Sequence, residues 1–594
     1  MSNFLLVVGH SERFGSLRNI LDEISNGSQG DRSDGWLASG WRYSWFSHRA
    51  HADAIGGGGL FTGFAVDDKN QIFAFGSEGW RQQNQLGGGA DLPGCYVRVG
   101  WNEGHLTVHG DVFRMMPLFV STEPGGLLAS DSAYVLMQLR RRLNLPVTLD
   151  RTVTEAMLWP NAMAAQLLGS RTLVREISYV TVGGHIRLDL RIPNSRASVS
   201  YTDVHTQFSP EGDAYRHELR TAAVRIASAV HTVATSGPEH ARLALSGGKD
   251  SRICLAAVLL SSQVKRGAVF SCTNTQPQHQ RDYEVVQALA KEFGFDLGSR
   301  LPPDHRTRQI RRFPQPFTLW LTDQSLCYYP FKVQSYALAA PGPFSIAGLG
   351  SELYKGNYEL QTLPQVISSL AARMPRVARA VDEIATDALL AAGVQPGEPQ
   401  SVEWHYLLLR NALHGGRFVP ATKLGLRPLQ QSNLVGLAKL AGTARFPELE
   451  HPSQISDDLL ALLNPSLAAR PFDKPGKNVA PSDIIDRLRH LGGPISSTEV
   501  TQYRMLGSVS AVRGGPLPSL ARLVPESGPA GRLARSELIP MVDAAVAQIS
   551  ESALPAEISA AAHNAARTIR DAAVAVSHSR GDVGRILAIA EVIR

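Results

Sequence analysis

The sequence predicts two units: an α+β sandwich of strands with a few helices over residues 1–205, then an α/β parallel-sheet unit over 206–594. Two observations carry this reading. Short β-rich runs separated by turn residues fill the first 200 positions. Beyond about residue 205 the pattern changes to strand, helix, strand, helix, the rhythm of a parallel sheet.

In the first unit the expected strands are Phe4 to Val8, Leu60 to Val66, Ile72 to Phe75, Cys95 to Val99, Leu106 to Val108 and Leu118 to Ser121. Gly56 to Gly59, Asp67-Asp68 and Gly87 to Gly89 read as turns. The glycine runs lack the strand-to-helix context of a phosphate cradle. A helix is expected at Ala133 to Leu143, capped by Ser130 or Asp131. A strand pair, Ile177 to Val182 with His185 to Leu190, is expected to turn at Gly183-Gly184.

A connecting helix is expected over Glu211 to Ala234. A buried strand, Arg242 to Leu245, runs into Ser246-Gly247-Gly248-Lys249-Asp250-Ser251 and then an apolar helix, Ile253 to Leu260. Gly267 to Cys272 is the next strand and Tyr283 to Phe293 the next helix. Pro516 to Gly531 reads as a loop, and the Ala-rich tail, Ser536 to Arg594, as two or three helices. No internal repeat is visible.

Composition excludes several classes. Hydrophobic residues make up 43% and charged residues 19% of 594, so the chain can bury large cores and is not disordered. No apolar run reaches the roughly 18 to 20 residues of a membrane span. The start has a five-residue apolar stretch without a basic flank or cleavage site, which predicts no secretory signal and a cytoplasmic location. Cys95, Cys254, Cys272 and Cys327 are too far apart for a zinc or redox pair, and fit a reduced compartment. The net charge of +6 is thinly spread. Its densest patches, Arg140 to Arg142 and Arg306 to Arg312, lack interleaved aromatics and read as solvated faces, so no nucleic-acid partner is expected.

Ser246 to Ser251 is the sharpest signal. A strand end, a glycine turn and a helix start let backbone N–H groups approach a polyphosphate closely. The helix N-terminus adds partial positive charge. Ser246 and Ser251 offer hydroxyls, and Asp250 can hold a divalent cation on the phosphates. The Walker spacing is absent. Lys249 either touches phosphate or faces solvent.

These residues resemble the pyrophosphate loop of the ATP pyrophosphatase superfamily. Further along, Gly348-Leu349-Gly350-Ser351-Glu352-Leu353 is similar to the Gly-x-Gly-Ser-Asp-Glu loop of asparagine synthetases, with Glu352 at the Asp and Leu353 at the Glu. Arg427-Pro428-Leu429 resembles a shortened form of their Arg-Val-Pro-Phe-Leu segment. Asp111-Val112-Phe113-Arg114-Met115-Met116-Pro117-Leu118-Phe119 resembles their Asp-Arg-Phe-Gly-x-Lys-Pro-Leu-Tyr hairpin, and Ser130-Asp131 their acidic turn. The resemblance runs in order from about residue 60 to 480. It implies a degenerate glutaminase-like, Ntn-type sandwich followed by an ATP pyrophosphatase (adenine nucleotide α-hydrolase-like) synthetase domain.

Glutamine-dependent members begin Met-Cys-Gly, whereas this chain begins Met1-Ser2-Asn3 and carries Thr62-Gly63 at their Asn-Gly oxyanion element. Loss of thiolate and amide donor argues against glutaminase activity. The resemblance then implies an ATP- and Mg²⁺-dependent, AMP-forming amide ligase whose amine comes from the substrate. Lasso peptide cyclases and β-lactam synthetases work this way. An intermolecular amide synthetase on a natural-product acid is the near alternative. A non-catalytic scaffold and a transfer-RNA thiolase are the other classes weighed. A small-molecule or peptide carboxylate with an amine acceptor is the expected substrate. A leader-binding protein, a protease or a carrier protein is the partner such enzymes use.

The resemblance assigns Ser246, Gly247, Gly248, Lys249, Asp250, Ser251, Thr273, Gly348 and Gly350 to the nucleotide, and Asp250 and Glu352 to the metal. A family lysine that steadies the developing oxyanion matches Lys474, with Lys477 as rival, in Arg470 to Asn478. Tyr328, Tyr329 and Tyr354 are candidates for a general base, Tyr354 being counted with the catalytic residues. Asp282 is either an acidic residue near the nucleotide or an N-cap, and His279 a solvated loop residue. His231 and His240 have no metal-ligand spacing.

Overall fold

The computed structural model describes residues 3–25, 30–87, 89, 91–235, 241–272, 279–297, 316–331, 344–416, 424–512, 517–524, 535–574 and 576–594. Thr273, His240 and Arg306 to Arg312 lie outside the described residues. The fold is mixed α/β with three sheets.

The N-terminal strands are β1 (Phe4–His10), β2 (Arg32–Trp36), β3 (Trp41–Ser47), β4 (Gly59–Asp67), β5 (Ile72–Phe75) and β6 (Gly94–Trp101). They continue as β7 (His105–Gly110), β8 (Phe119–Glu123), β9 (Gly126–Ser130), β10 (Ser178–Tyr179), β11 (Gly184–Asp189) and β12 (Ser198–Tyr201). One sheet has the order β10-β8-β9-β1-β3-β2 and another begins β12-β11-β7-β6-β4-β5. Phe4 to Val8 are wholly buried because β1 lies between β9 and β3. That explains a continuous apolar run rather than an alternating one. In β6 the period of two divides the side chains: Cys95, Val97 and Val99 join the main core, while Tyr96 joins Phe61 and Trp80 on the other face.

The second unit opens with a helix, Tyr215–Thr235. Four parallel strands follow: β13 (Ala241–Ala244), β14 (Ala268–Ser271), β15 (Ser345–Ile346) and β16 (Gly425–Leu426), in the order β14-β13-β15-β16. Then β17 (Arg504–Gly507) returns to the N-terminal part and pairs in parallel with β5. The tail helices Arg535–Glu551, Ala556–Arg570 and Val576–Ile593 pack on one another. The last reaches the N-terminal helix Ala133–Arg142, where Tyr134 Oη donates to Glu591 at 2.9 Å.

Several expectations are corrected. The helix at Ala133 is capped by Ser132, whose Oγ accepts the Val135 N–H at 3.1 Å, not by Ser130 or Asp131. Asp131 instead accepts the Asn3 N–H, and the Ser130 hydroxyl donates to the Phe4 carbonyl. The two strands flanking Gly183-Gly184 do not pair: β10 joins β8, and β11 joins β7 and β12. Strands β2, β3, β9, β12, β15, β16 and β17 were not expected. Pro518–Ala521 forms one helical turn inside the expected loop. Arg140 to Arg142 are not a solvated face. Arg140 is fully buried, bonding the Pro146 carbonyl and pairing with Glu123 at 2.8 Å. Arg141 donates to the Glu591 and Val592 carbonyls, and Arg142 to the Arg522 carbonyl. A buried guanidinium such as that of Arg140 persists only with such partners, and the Arg141 bonds tie the last helix down. No described helix is long and apolar enough to cross a membrane.

Gly507 fixes the β5–β17 junction. Its φ is +75°, and a Cβ there would lie 2.2 Å from the Phe75 carbonyl oxygen. Gly507→Ala therefore combines left-handed strain with a backbone clash, and should destabilise by about 2–3 kcal/mol. Gly100→Ala, whose Cβ would only touch Thr107 Oγ1 at 3.6 Å, should change stability by less than about 0.5 kcal/mol. Thermal melts of the two variants check this, and equal melting temperatures would refute it.

Candidate functional site

Strand order reverses between β13 and β15: the chain goes from β13 to β14 on one side, then to β15 on the other. In open parallel sheets ligands bind at the carboxyl ends of the strands beside such a reversal. The loop after β13 is Leu245 to Gly248, and the one after β15 leads through Gly348 into a 3₁₀ turn, Ser351–Tyr354.

The first loop is closed by its two serines. Ser251 Oγ accepts the Ser246 N–H and lies 3.1 Å from Ser246 Oγ, while the Gly248 N–H points at Ser246 Oγ at 3.3 Å. The helix begins earlier than expected, spanning Lys249–Leu259, with Gly248 as its N-cap and no side-chain cap. Its first N–H groups are thus left to water or a ligand, at the positive end of the helix dipole.

Two glycines are required by close approach. A Cβ on Gly247 would lie 2.8 Å from Asp473 Cβ and 3.0 Å from Asp282 Oδ1. A Cβ on Gly348 would lie 2.6 Å from the Asp250 carbonyl carbon and 2.7 Å from the Ser251 nitrogen. The two loops are therefore in backbone contact. The Gly350 N–H donates to the Glu352 carboxylate at 2.8 Å, aiming it back along its own loop. Burial, and then the charge of Asp250, push the Glu352 carboxyl above its usual range. Lys355, three residues past Glu352, pairs with Asp250, so the Glu352 turn lies against Asp250.

Three lysines meet carboxylates here. Lys249 pairs with Asp457, Lys355 with Asp250, and Lys477 with Asp473. Lys249 does not face open solvent; without ligand its ammonium is held by Asp457. Lys477 is brought to the loop indirectly, because the Asp473 N–H donates to the Gly247 carbonyl at 3.1 Å. Lys474 is exposed and N-caps the 3₁₀ turn Pro475–Lys477. Tyr354 is buried and its hydroxyl has no hydrogen-bond partner. Burial raises its phenol well above the ordinary range, with Asp250 adding to it. Tyr328 Oη lies 3.0 Å from His414 Nδ1, and Tyr329 is buried.

Asp282 is not an N-cap. The helix spans Gln280–Phe293 with His279 at the cap position, and Asp282 accepts the Gly247 N–H at 2.9 Å. His279 faces Asp282 at 3.2 Å. His231 is a core residue bonded to the Ala257 carbonyl. Arg252 went unrecognised in the sequence. It is buried, donates to the Arg470 and Pro471 carbonyls at 2.7 and 2.8 Å, and stacks 3.8 Å above Phe472. Burial lowers its guanidinium to about 10. The available signal was an Arg directly ahead of an apolar helical run, where a charge is out of place unless it is tied down. Arg427 follows β16, with Nε and Nη1 buried and unpartnered. It lines a cavity of about 30 Å³ between β4 and the Gly425 to Gln431 segment. That holds about one water, so the cavity is no substrate pocket.

Among the described residues no three His, Cys, Asp or Glu converge to hold a metal ion. Asp250 and Glu352 give hard oxygen donors of the kind Mg²⁺ takes together with substrate phosphates. The buried Ser351 hydroxyl, like that of Tyr354, has no partner. This donor set fits a metal–polyphosphate group. No protein-family model matches the chain, and no curated protein matches it.

Asp282→Ala should free the Gly247 amide at a cost of about 1–2 kcal/mol. Hydrogen exchange at Gly247 should then rise about tenfold while exchange in β6 is unchanged. An unaltered Gly247 amide would refute the assignment.

Proposed function

We propose that this chain is an ATP-dependent, AMP-forming carbon–nitrogen ligase that activates a substrate carboxylate and joins it to an amine without hydrolysing glutamine. One observation carries the reading: two glycine loops meet at the strand-order reversal, beneath an uncapped helix N-terminus, with Asp250 and Glu352 side by side. The resemblance to asparagine synthetases supplies the reaction class. It also supplies the finer fold, a degenerate Ntn-type sandwich joined to an ATP pyrophosphatase domain.

Gly247 and Gly248 allow backbone approach to phosphate, and the Lys249–Leu259 N-terminus attracts its charge. Ser246 and Ser251 set the turn that presents these groups. Asp250 and Glu352 are the metal carboxylates. When bound, ATP and Mg²⁺ supply an electrophilic phosphorus and neutralise its oxygens. Gly348 and Gly350 let the second loop pack on the first and aim Glu352. Lys477, tethered through Asp473 to Gly247, is better placed than exposed Lys474 to stabilise an oxyanion. The buried Tyr354 hydroxyl is a hydrogen-bond donor to a substrate oxygen. Peptides and natural-product acids are the proposed substrates, with a lasso-type macrolactam closure as the favoured case. A leader-binding protein, protease or carrier protein would deliver them in the cytoplasm.

Purified protein given ATP, Mg²⁺ and candidate acids, without glutamine, should release AMP and pyrophosphate. A product lighter by one water marks internal closure, and a gain equal to an added amine less water marks intermolecular joining. Asp250→Ala should cut AMP formation at least about a hundredfold, the scale of a lost metal ligand. ATP binding without AMP release across a broad acid panel would overturn the ligase reading.

A further inference from the structure

The lysine on Asp250 has no counterpart in the reading above. Lys355 follows the 3₁₀ turn Ser351–Tyr354 directly and pairs with Asp250 Oδ1. It stands three residues past Glu352 and also bears on that carboxylate, opposing the effect of Asp250 there. The ammonium therefore sits by both carboxylates assigned to the metal. Two other lysines of the site are engaged elsewhere, Lys249 by Asp457 and Lys477 by Asp473. The Lys355 and Asp250 side chains are 24% and 30% exposed, so neither is locked in the core and the pair can open.

We propose that Lys355 is a resident counter-cation that occupies the divalent-metal position between Asp250 and Glu352, and that metal–nucleotide loading requires its ammonium to leave. This inference deepens the ligase reading and rests on it for the identity of the site. The physical ground is competition for one oxygen. A dication needs carboxylate oxygens in its own coordination shell, and a second cation on the same oxygen repels it. Without either cation, two neighbouring carboxylates repel each other. Lys355 removes that repulsion in the resting protein and makes loading an exchange of charge rather than an addition. Bare metal is then disfavoured, and a metal arriving with polyphosphate is favoured, because the phosphates offer the displaced ammonium a new partner.

The test is Mn²⁺ binding to the full chain without nucleotide, followed by electron paramagnetic resonance and by melting temperature. Lys355→Met should bind Mn²⁺ about tenfold more tightly than wild type, on the scale of a displaced charge-assisted bond. It should melt lower in chelator and recover on adding Mn²⁺. Lys355→Gln should behave like Lys355→Met, Lys355→Arg like wild type, and Lys355→Met/Asp250→Asn should lose the gain. Lys355→Met and Lys355→Gln proteins that bind Mn²⁺ no better than wild type would overturn the proposal. A loss of melting temperature that Mn²⁺ does not restore would also overturn it, leaving an ordinary ion pair. Failure of wild type to bind ATP with Mg²⁺ would instead remove the ligase reading, since the Mn²⁺ titration uses no nucleotide.

Discussion

The contact between Gly348 and the Asp250–Ser251 backbone is the constraint on which the site depends. Two chain segments separated by about a hundred residues meet where no side chain fits. This contact brings the loop after β15 onto the loop after β13, and so puts Glu352 beside Asp250. The remaining contacts hold this junction in place. Asp282 takes the Gly247 N–H, Asp473 donates to the Gly247 carbonyl, and Arg252 anchors the 470–471 carbonyls. Each is a polar group satisfied at short range, as burial demands. The loop is therefore set from three directions before any ligand arrives.

The N-terminal sheets are not remote from this arrangement. Met115, in the segment after β7, lines the small cavity that Arg427 also lines, and its sulfur accepts from Gln430. The later chain also returns to the N-terminal part, through β17 and through the Arg141 and Arg142 bonds to the Glu591 and Arg522 carbonyls. Arg114 adopts φ +55° and donates to the Thr181 and Gly184 carbonyls. Non-glycine residues pay for that conformation, and the two carbonyl bonds offset the cost.

Much of this was legible in the sequence. The strands with clean alternation or unbroken apolar runs, such as Ile72 to Phe75, were readable to within a residue or two. The parallel sheet followed from its strand–helix rhythm. What escaped had physical reasons. Strand β2, Arg-Ser-Asp-Gly-Trp, is an exposed edge with no hydrophobic pattern to read. The hairpin expected at Gly183-Gly184 failed because a glycine turn says nothing about which sheet each flank joins. The Ser246–Ser251 turn was readable as a strand end, glycine turn and helix start, whereas Gly348, Gly350 and Glu352 were singled out by the resemblance alone. Lys355 and Asp457 were not legible, since an ion pair between distant segments leaves no local pattern.

The parallel pairing of β17 with β5 also bears on how the chain is made. More than four hundred residues separate Ile72 from Arg504, its partner in register. At ribosomal speeds of about 5–20 residues per second, β5 emerges roughly 20 to 90 seconds before the strand that covers it. During that interval the flank of β5 that receives β17 is an unpaired edge next to wholly buried aromatics, Phe73 and Phe75. Such an edge invites pairing with other chains. The N-terminal sheet is thus a structure that biosynthesis leaves open until nearly the last hundred residues appear. The nascent protein's need for shielding is written into its strand order.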